Sequence, residues 1–113
     1  MTPPVEMGPE GPIEVVQGVD EDRIVVRADL DLSLAEPLRA RALELLARDE
    51  GRRLTIDLTA TPFLDSSGVQ ALVRLAGEAE PARFRVIAAG QPHQVLELTE
   101  VLQLLSVEQA EGP

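Results

Sequence analysis

Between Leu54 and Ala76 the spacing of apolar residues changes from every second position to every third or fourth. Leu54, Ile56 and Leu58 alternate with Thr55 and Asp57, the pattern of a strand with one buried face. Val69, Leu72, Val73 and Ala76 then recur at helical spacing, the mark of an amphipathic helix. The stretch from Thr59 to Gly68 must therefore carry the chain from a sheet into a helix. Asp65 is suited to cap that helix, because its carboxylate can accept an orphan N–H two or three residues on. Ser66 and Ser67 then fall in the first helical turn, on the rim between strand and helix, with hydroxyls close to free backbone donors.

The flanking segments repeat the theme. Ile13–Val16 reads as a short edge strand, Gly18–Asp22 as a turn, and Arg23–Ala28 as a strand with Ile24 and Val26 on one face. A helix over 34–48 carries Leu34, Leu38, Ala42, Leu45 and Leu46 on its apolar side. Its start has two readings: Ser33 and Glu36 have capping-box spacing, whereas Pro37 argues for a start nearer Glu36. A strand over 83–89, a helix over 93–102 and a last strand over 104–107 complete the domain, with expected core residues Leu58, Leu64, Val69, Leu72, Val73 and Leu96. Residues 1–12, rich in Pro and Gly, read as a disordered lead-in, and 108–113 as a tail. Strands alternating with helices predict an α/β fold: a small mixed sheet of four to five strands with helices stacked mainly on one face.

Composition narrows the function. The 113 residues suffice for one domain and a single core. Net charge is −10, and all ten basic residues are Arg, a balance that disfavours nucleic acid and anionic membrane surfaces. The absence of Trp and Tyr argues against base-stacking platforms. No apolar run approaches the length of a membrane span and no secretory signal is visible, so a cytoplasmic protein without direct membrane insertion is expected. Cysteine is absent, which removes disulfides and thiolate chemistry. No cofactor motif is present: Gly68 stands alone rather than in a phosphate-cradling loop, and Asp65-Ser66-Ser67-Gly68 is no nucleophile elbow for the single histidine, His93.

Phe63-Leu64-Asp65-Ser66-Ser67-Gly68 between a strand and an apolar helix resembles the phosphorylation site of STAS domains, in particular bacterial anti-sigma factor antagonists. Ala28-Asp29-Leu30-Asp31 with Ala35-Glu36-Pro37-Leu38 is similar to the family's early loop and first helix, and Gln94–Thr99 to its third helix. The resemblance spans residues 13–107 in the right order. It implies a non-enzymatic switch. The unphosphorylated protein would bind an anti-sigma factor serine kinase of the GHKL type and so free a sigma factor for transcription. Phosphorylation of Ser66 by that kinase would end the binding, and a protein phosphatase would restore it.

By the same resemblance Asp31, Asp65, Ser67 and Gly68 form the partner-contacting surface around Ser66. Asp31 and Asp65 also admit a reading as a carboxylate pair for metal or acid–base work, and Asp65-Ser66-Ser67 a reading as a helix cap and nothing more; partner contact is the favoured reading. Family members usually carry a further helix after the last strand. Here only Glu108–Pro113 remains, so either that helix is a stub or a second copy of the domain covers the face, as a homodimer. The alternative class is a structural STAS subunit in a stress-signalling or lipid-transport complex, where the serine need not be phosphorylated.

Overall fold

The computed structural model describes residues 11–48, 51–79, 83–99 and 107–109. Its elements run β1 (Ile13–Gln17), β2 (Glu21–Val26), α1 (Leu32–Arg48), β3 (Arg53–Leu58), α2 (Ser66–Glu78), β4 (Phe84–Ala88), α3 (Gly90–Leu98) and β5 (Val107–Gln109). The five strands lie in chain order, with β1 antiparallel to β2 and every later pair parallel. Parallel neighbours require a crossover, and helices α1 and α2 supply it for β2–β3 and β3–β4.

Register sorts the side chains by face. Val15 pairs with Ile24, Ile24 with Ile56, and Ile56 with Val86, an apolar row across four strands, with the Ile13–Val26 pair beside it on the same face. That row joins Leu34, Leu38, Ala42, Leu45 and Leu46 of α1, Val69, Leu72 and Leu75 of α2, and Leu96 of α3 in one core. The helices thus share one side of the sheet, as alternation predicts. The other side is polar. Arg23 pairs with Asp57 at 3.3 Å, Arg85 bridges Glu21 and Glu108 at 3.2 Å each, and the Thr55 hydroxyl donates to Glu21.

Several boundaries depart from the sequence reading. Strand β2 starts at Glu21, so Glu21 and Asp22 belong to the sheet rather than to the preceding turn. The reason lies far along the chain. Arg52 donates to both Asp22 carboxylate oxygens at 2.8 and 3.3 Å, and to the carbonyls of Gly18, Val19 and Glu21. Helix α3 begins at Gly90, whose φ of 59° is in the left-handed region, with Pro92 buried in the first turn, where its missing N–H costs no bond. It ends at Leu98, before the expected 102; residues 100–102 lie outside the described residues. Strand β5 takes in Glu108 and Gln109, read above as tail, because they pair with Ile87 and Ala88. The lead-in over 1–10, positions 104–106 and the tail over 110–113 also lie outside the described residues. Val73 is only partly buried against the core; Ala71 and Leu75 occupy the deeper positions of α2.

Candidate functional site

The loop after β2 and the loop after β3 meet at one point. Leu30 N–H donates to the Phe63 carbonyl at 2.8 Å, and Asp65 N–H donates to the Leu30 carbonyl at 3.3 Å. These bonds make a single parallel bridge between Leu30 and Leu64, both fully buried. Each leucine is followed by an aspartate, so burying the pair sets Asp31 and Asp65 on the rim of the sheet, one ahead of each helix. The Thr61 hydroxyl secures the β3 loop by donating to the Val26 carbonyl at 2.8 Å. From the far side, Gln91 of α3 accepts from Leu64 N–H at 2.8 Å and donates to the Leu64 carbonyl at 3.1 Å.

Asp65 caps α2 as its sequence predicts. Its backbone is extended, with φ −108° and ψ −174°, and its carboxylate accepts from Gly68 N–H at 3.1 Å while its carbonyl accepts from Val69 N–H at 3.0 Å. Ser66 is the first helical residue and is exposed. Its hydroxyl makes no hydrogen bond among the described residues. Ser67 is half-buried and lines a shallow groove between α1 and α2, with Leu32 and Ala35 beside it and Arg39 and Arg74 along the walls. Gly68 is buried. A Cβ there would lie 2.6 Å from the Leu30 carbonyl oxygen and 2.5 Å from Leu64 Cδ1, so the backbone that approaches this glycine is the chain's own.

Asp31 plays the matching part for α1. Its Oδ1 accepts from the Ser33 N–H at 3.0 Å and from the Ser33 hydroxyl at 2.7 Å, and its carbonyl accepts from Leu34 and Ala35 N–H. The Ser33 hydroxyl is the main cause that holds the Asp31 carboxyl below its ordinary range; burial, the next largest, pulls the other way, and the backbone N–H groups of Ser33 and Leu34 add to the lowering. This corrects both expected starts of α1. The cap is Asp31, not Ser33, and the Ser33–Glu36 box does not form: Glu36 pairs with Arg39 instead. Pro37 sits inside the helix, where the bond it removes is to the carbonyl of Ser33, an exposed residue.

The two aspartates are thus occupied as caps of adjacent helices rather than turned on a common ligand. No group of three or more His, Cys, Asp or Glu side chains that could hold a metal ion occurs among the described residues. Two large apolar side chains of these loops are exposed: Phe63, three residues before Ser66, is 46% exposed, and Leu32, which lines the groove beside Ser67, is 77% exposed. The fold therefore presents an exposed serine hydroxyl, without a hydrogen bond among the described residues, at the positive end of a helix dipole and next in the chain to the Asp65 cap. Such a surface suits contact with another protein, and its serine is open to a modifying enzyme.

Sequence reasoning did not single out Thr61, Gln91 or Arg52. Their partners lie 35, 27 and 30 or more positions away, and no local pattern marks a side chain that bonds to distant backbone.

Comparison with known proteins agrees with this architecture. The family model described as "Mlab, STAS domain" matches residues 13–107. An anti-sigma factor antagonist from Mycobacterium paratuberculosis superposes with a TM-score of 0.76 at 24% identity, covering 84% of this chain and 82% of that one. The antagonist SpoIIAA in its unphosphorylated form gives 0.64 at 16% identity, over 89% of each chain. The murine solute carrier 26 family member A9 anion transporter also gives 0.64 at 16% identity, with 87% of this chain matched to 17% of the transporter. A search of curated proteins returned no match. At these identities the structures share the fold, and the family model spans most of the sequence: this chain belongs to the STAS domain family.

Proposed function

We propose that the chain is an anti-sigma factor antagonist that works by partner switching. Unphosphorylated, it binds an anti-sigma factor kinase of the GHKL type and releases the sigma factor; phosphorylated on Ser66, it lets go, and a phosphatase resets it. Ser66 is here a substrate, acted on rather than acting, and the switch operates in the cytoplasm. The observation that carries this reading is the position of Ser66: exposed, and without a hydrogen bond among the described residues, at the first turn of α2, in a fold shared with anti-sigma factor antagonists.

A phosphate there adds about −1.5 to −2 charges and three acceptor oxygens. The helix N-terminus tolerates it, whereas a partner closing over Phe63 and Leu32 has to desolvate it. Asp31 and Asp65 hold the two loops that flank the serine, Ser67 meets the partner from the groove side, and Gly68 shapes the surface from beneath. Incubation with an anti-sigma kinase and ATP is expected to add one phosphate by mass, mapped to Ser66. A phosphate on Ser67 or Thr61 with Ser66 untouched would refute the assignment.

A second reading is favoured by the occurrence of the same fold as a small part of an anion transporter. In it the chain is a structural STAS subunit docked on a larger assembly, and Ser66 stays unmodified. Affinity capture separates the two: a GHKL-type kinase supports the switch, a transporter subunit the docked role.

A further inference from the structure

The loop that leads to Ser66 is bonded to a residue of another helix. Among the described residues, no backbone strand pairs with Leu64 on the side away from Leu30. The Gln91 side chain takes that place: Oε1 accepts from Leu64 N–H at 2.8 Å and Nε2 donates to the Leu64 carbonyl at 3.1 Å. The amide orientation follows from the partners, since the reverse would set donor against donor and acceptor against acceptor. Leu64 is thereby paired on both edges, through Phe63 O and Asp65 N–H to Leu30 and through its own N–H and C=O to Gln91. It behaves as a central strand one residue long.

We infer that Gln91 is a positioning residue for the Ser66 site: its carboxamide stands in for a missing strand and ties α3 to the loop that presents the serine. Three features support this. Gln91 is the second residue of α3, so its stem is anchored by an element whose Pro92 and Leu96 are buried in the domain. The loop it holds leads within two residues to Ser66 through the capping residue Asp65. Both bonds are partly buried, where an unpaired Leu64 amide has little water to turn to. The consequence for phosphorylation rests on the reading of Ser66 given above; the bonding role itself does not.

Amide hydrogen exchange of the whole chain, followed by NMR at pH 7 with no kinase present, tests the inference. Two variants separate hydrogen bonding from space filling. Gln91→Leu keeps most of the volume and removes both bonds, whereas Gln91→Glu keeps an acceptor for Leu64 N–H. Relative to the Ile56 amide of β3, which reports the stability of the sheet, the Leu64 and Asp65 amides are expected to exchange at least ~10-fold faster in Gln91→Leu. In Gln91→Glu the acceptor for Leu64 N–H is kept but an oxygen replaces the donor to the Leu64 carbonyl, so an acceleration no larger than that of Gln91→Leu is expected. Unchanged Leu64 exchange in Gln91→Leu would overturn the assignment. Absence of Ser66 phosphorylation in the wild-type protein would count against the switch and not against this role.

Discussion

Gly68 lies so close to Leu30 that a Cβ on the glycine would fall 2.6 Å from the Leu30 carbonyl oxygen and 2.9 Å from Leu30 Cγ. The first turn of α2 thus rests on the loop before α1, and the serine site inherits its shape from that contact. Gly68→Ala forces the backbone of two loops apart, an overpacking cost of roughly 1–3 kcal/mol. The expected result is a lower urea midpoint. An unchanged midpoint would mean that the loops part freely.

Arg52 and Asp22 give a second prediction. Asp22 is 4% exposed and on the core-facing side of β2, and Arg52 is the cation bonded to it. Removing one partner leaves a charge or its donors unsatisfied; a fully buried pair costs roughly 3–5 kcal/mol to break, and less is expected here because the Arg52 side chain is 25% exposed. Arg52→Met and Asp22→Ala should each be strongly destabilising, and the double variant should lose less than the sum of the two. Additive losses in denaturant titrations would deny the coupling.

Core depth along α2 is also testable. Leu72 is fully buried, whereas Val73 is only partly so. Leu72→Ala is expected to cost roughly 2–5 kcal/mol, and Val73→Ala distinctly less. Equal losses would mean that α2 is rotated from the position described.

The lowered Asp31 carboxyl predicts the direction of a pH effect. A group with a depressed folded pKa contributes stability above its unfolded value, and that contribution disappears as pH falls through the folded one. Protection from the Asp31 cap is therefore complete above the ordinary value of 3.8 and lost below it. Asp31→Asn keeps an oxygen acceptor for Ser33 but has no charge to titrate. Its stability deficit against wild type should be greatest near neutrality and shrink as the pH drops below about 4, the ordinary carboxylate range. A deficit that does not change with pH, in thermal melts at stepped pH, would show that charge has no part in the cap.

Much of this structure is legible in the sequence because apolar period and turn chemistry are local. Leu54, Ile56 and Leu58 declare β3, and Asp65 declares the start of α2. The start of α1 was harder: Ser33 and Glu36 have capping-box spacing, yet Asp31, two residues earlier, takes the Ser33 N–H and hydroxyl itself. Strand β5 runs past the expected end at Val107 for another reason: Glu108 and Gln109, which carry no apolar signal, join the sheet by pairing across to Ile87 and Ala88. At the site, the exposure of Ser66 follows from its place after an N-cap. The clamp by Gln91 and the close contact of Gly68 with Leu30 do not, since both depend on how distant loops are stacked.

The switch makes its strongest demand on Ser66, where charge must alter binding and leave the fold intact. A negative group at an exposed helix N-terminus gains at most about 0.3–1 kcal/mol from the dipole, and the neighbouring Asp65 charge offsets part of that. Calorimetric titration of the anti-sigma kinase partner with wild-type protein, the Ser66-phosphorylated form and Ser66→Ala, alongside their melting curves, tests this most directly. The account predicts near-identical melting for all three, wild-type affinity for Ser66→Ala, and at least ~10-fold weaker binding of the phosphorylated form, about 1.4 kcal/mol. Equal affinity for the phosphorylated and unphosphorylated proteins would contradict it.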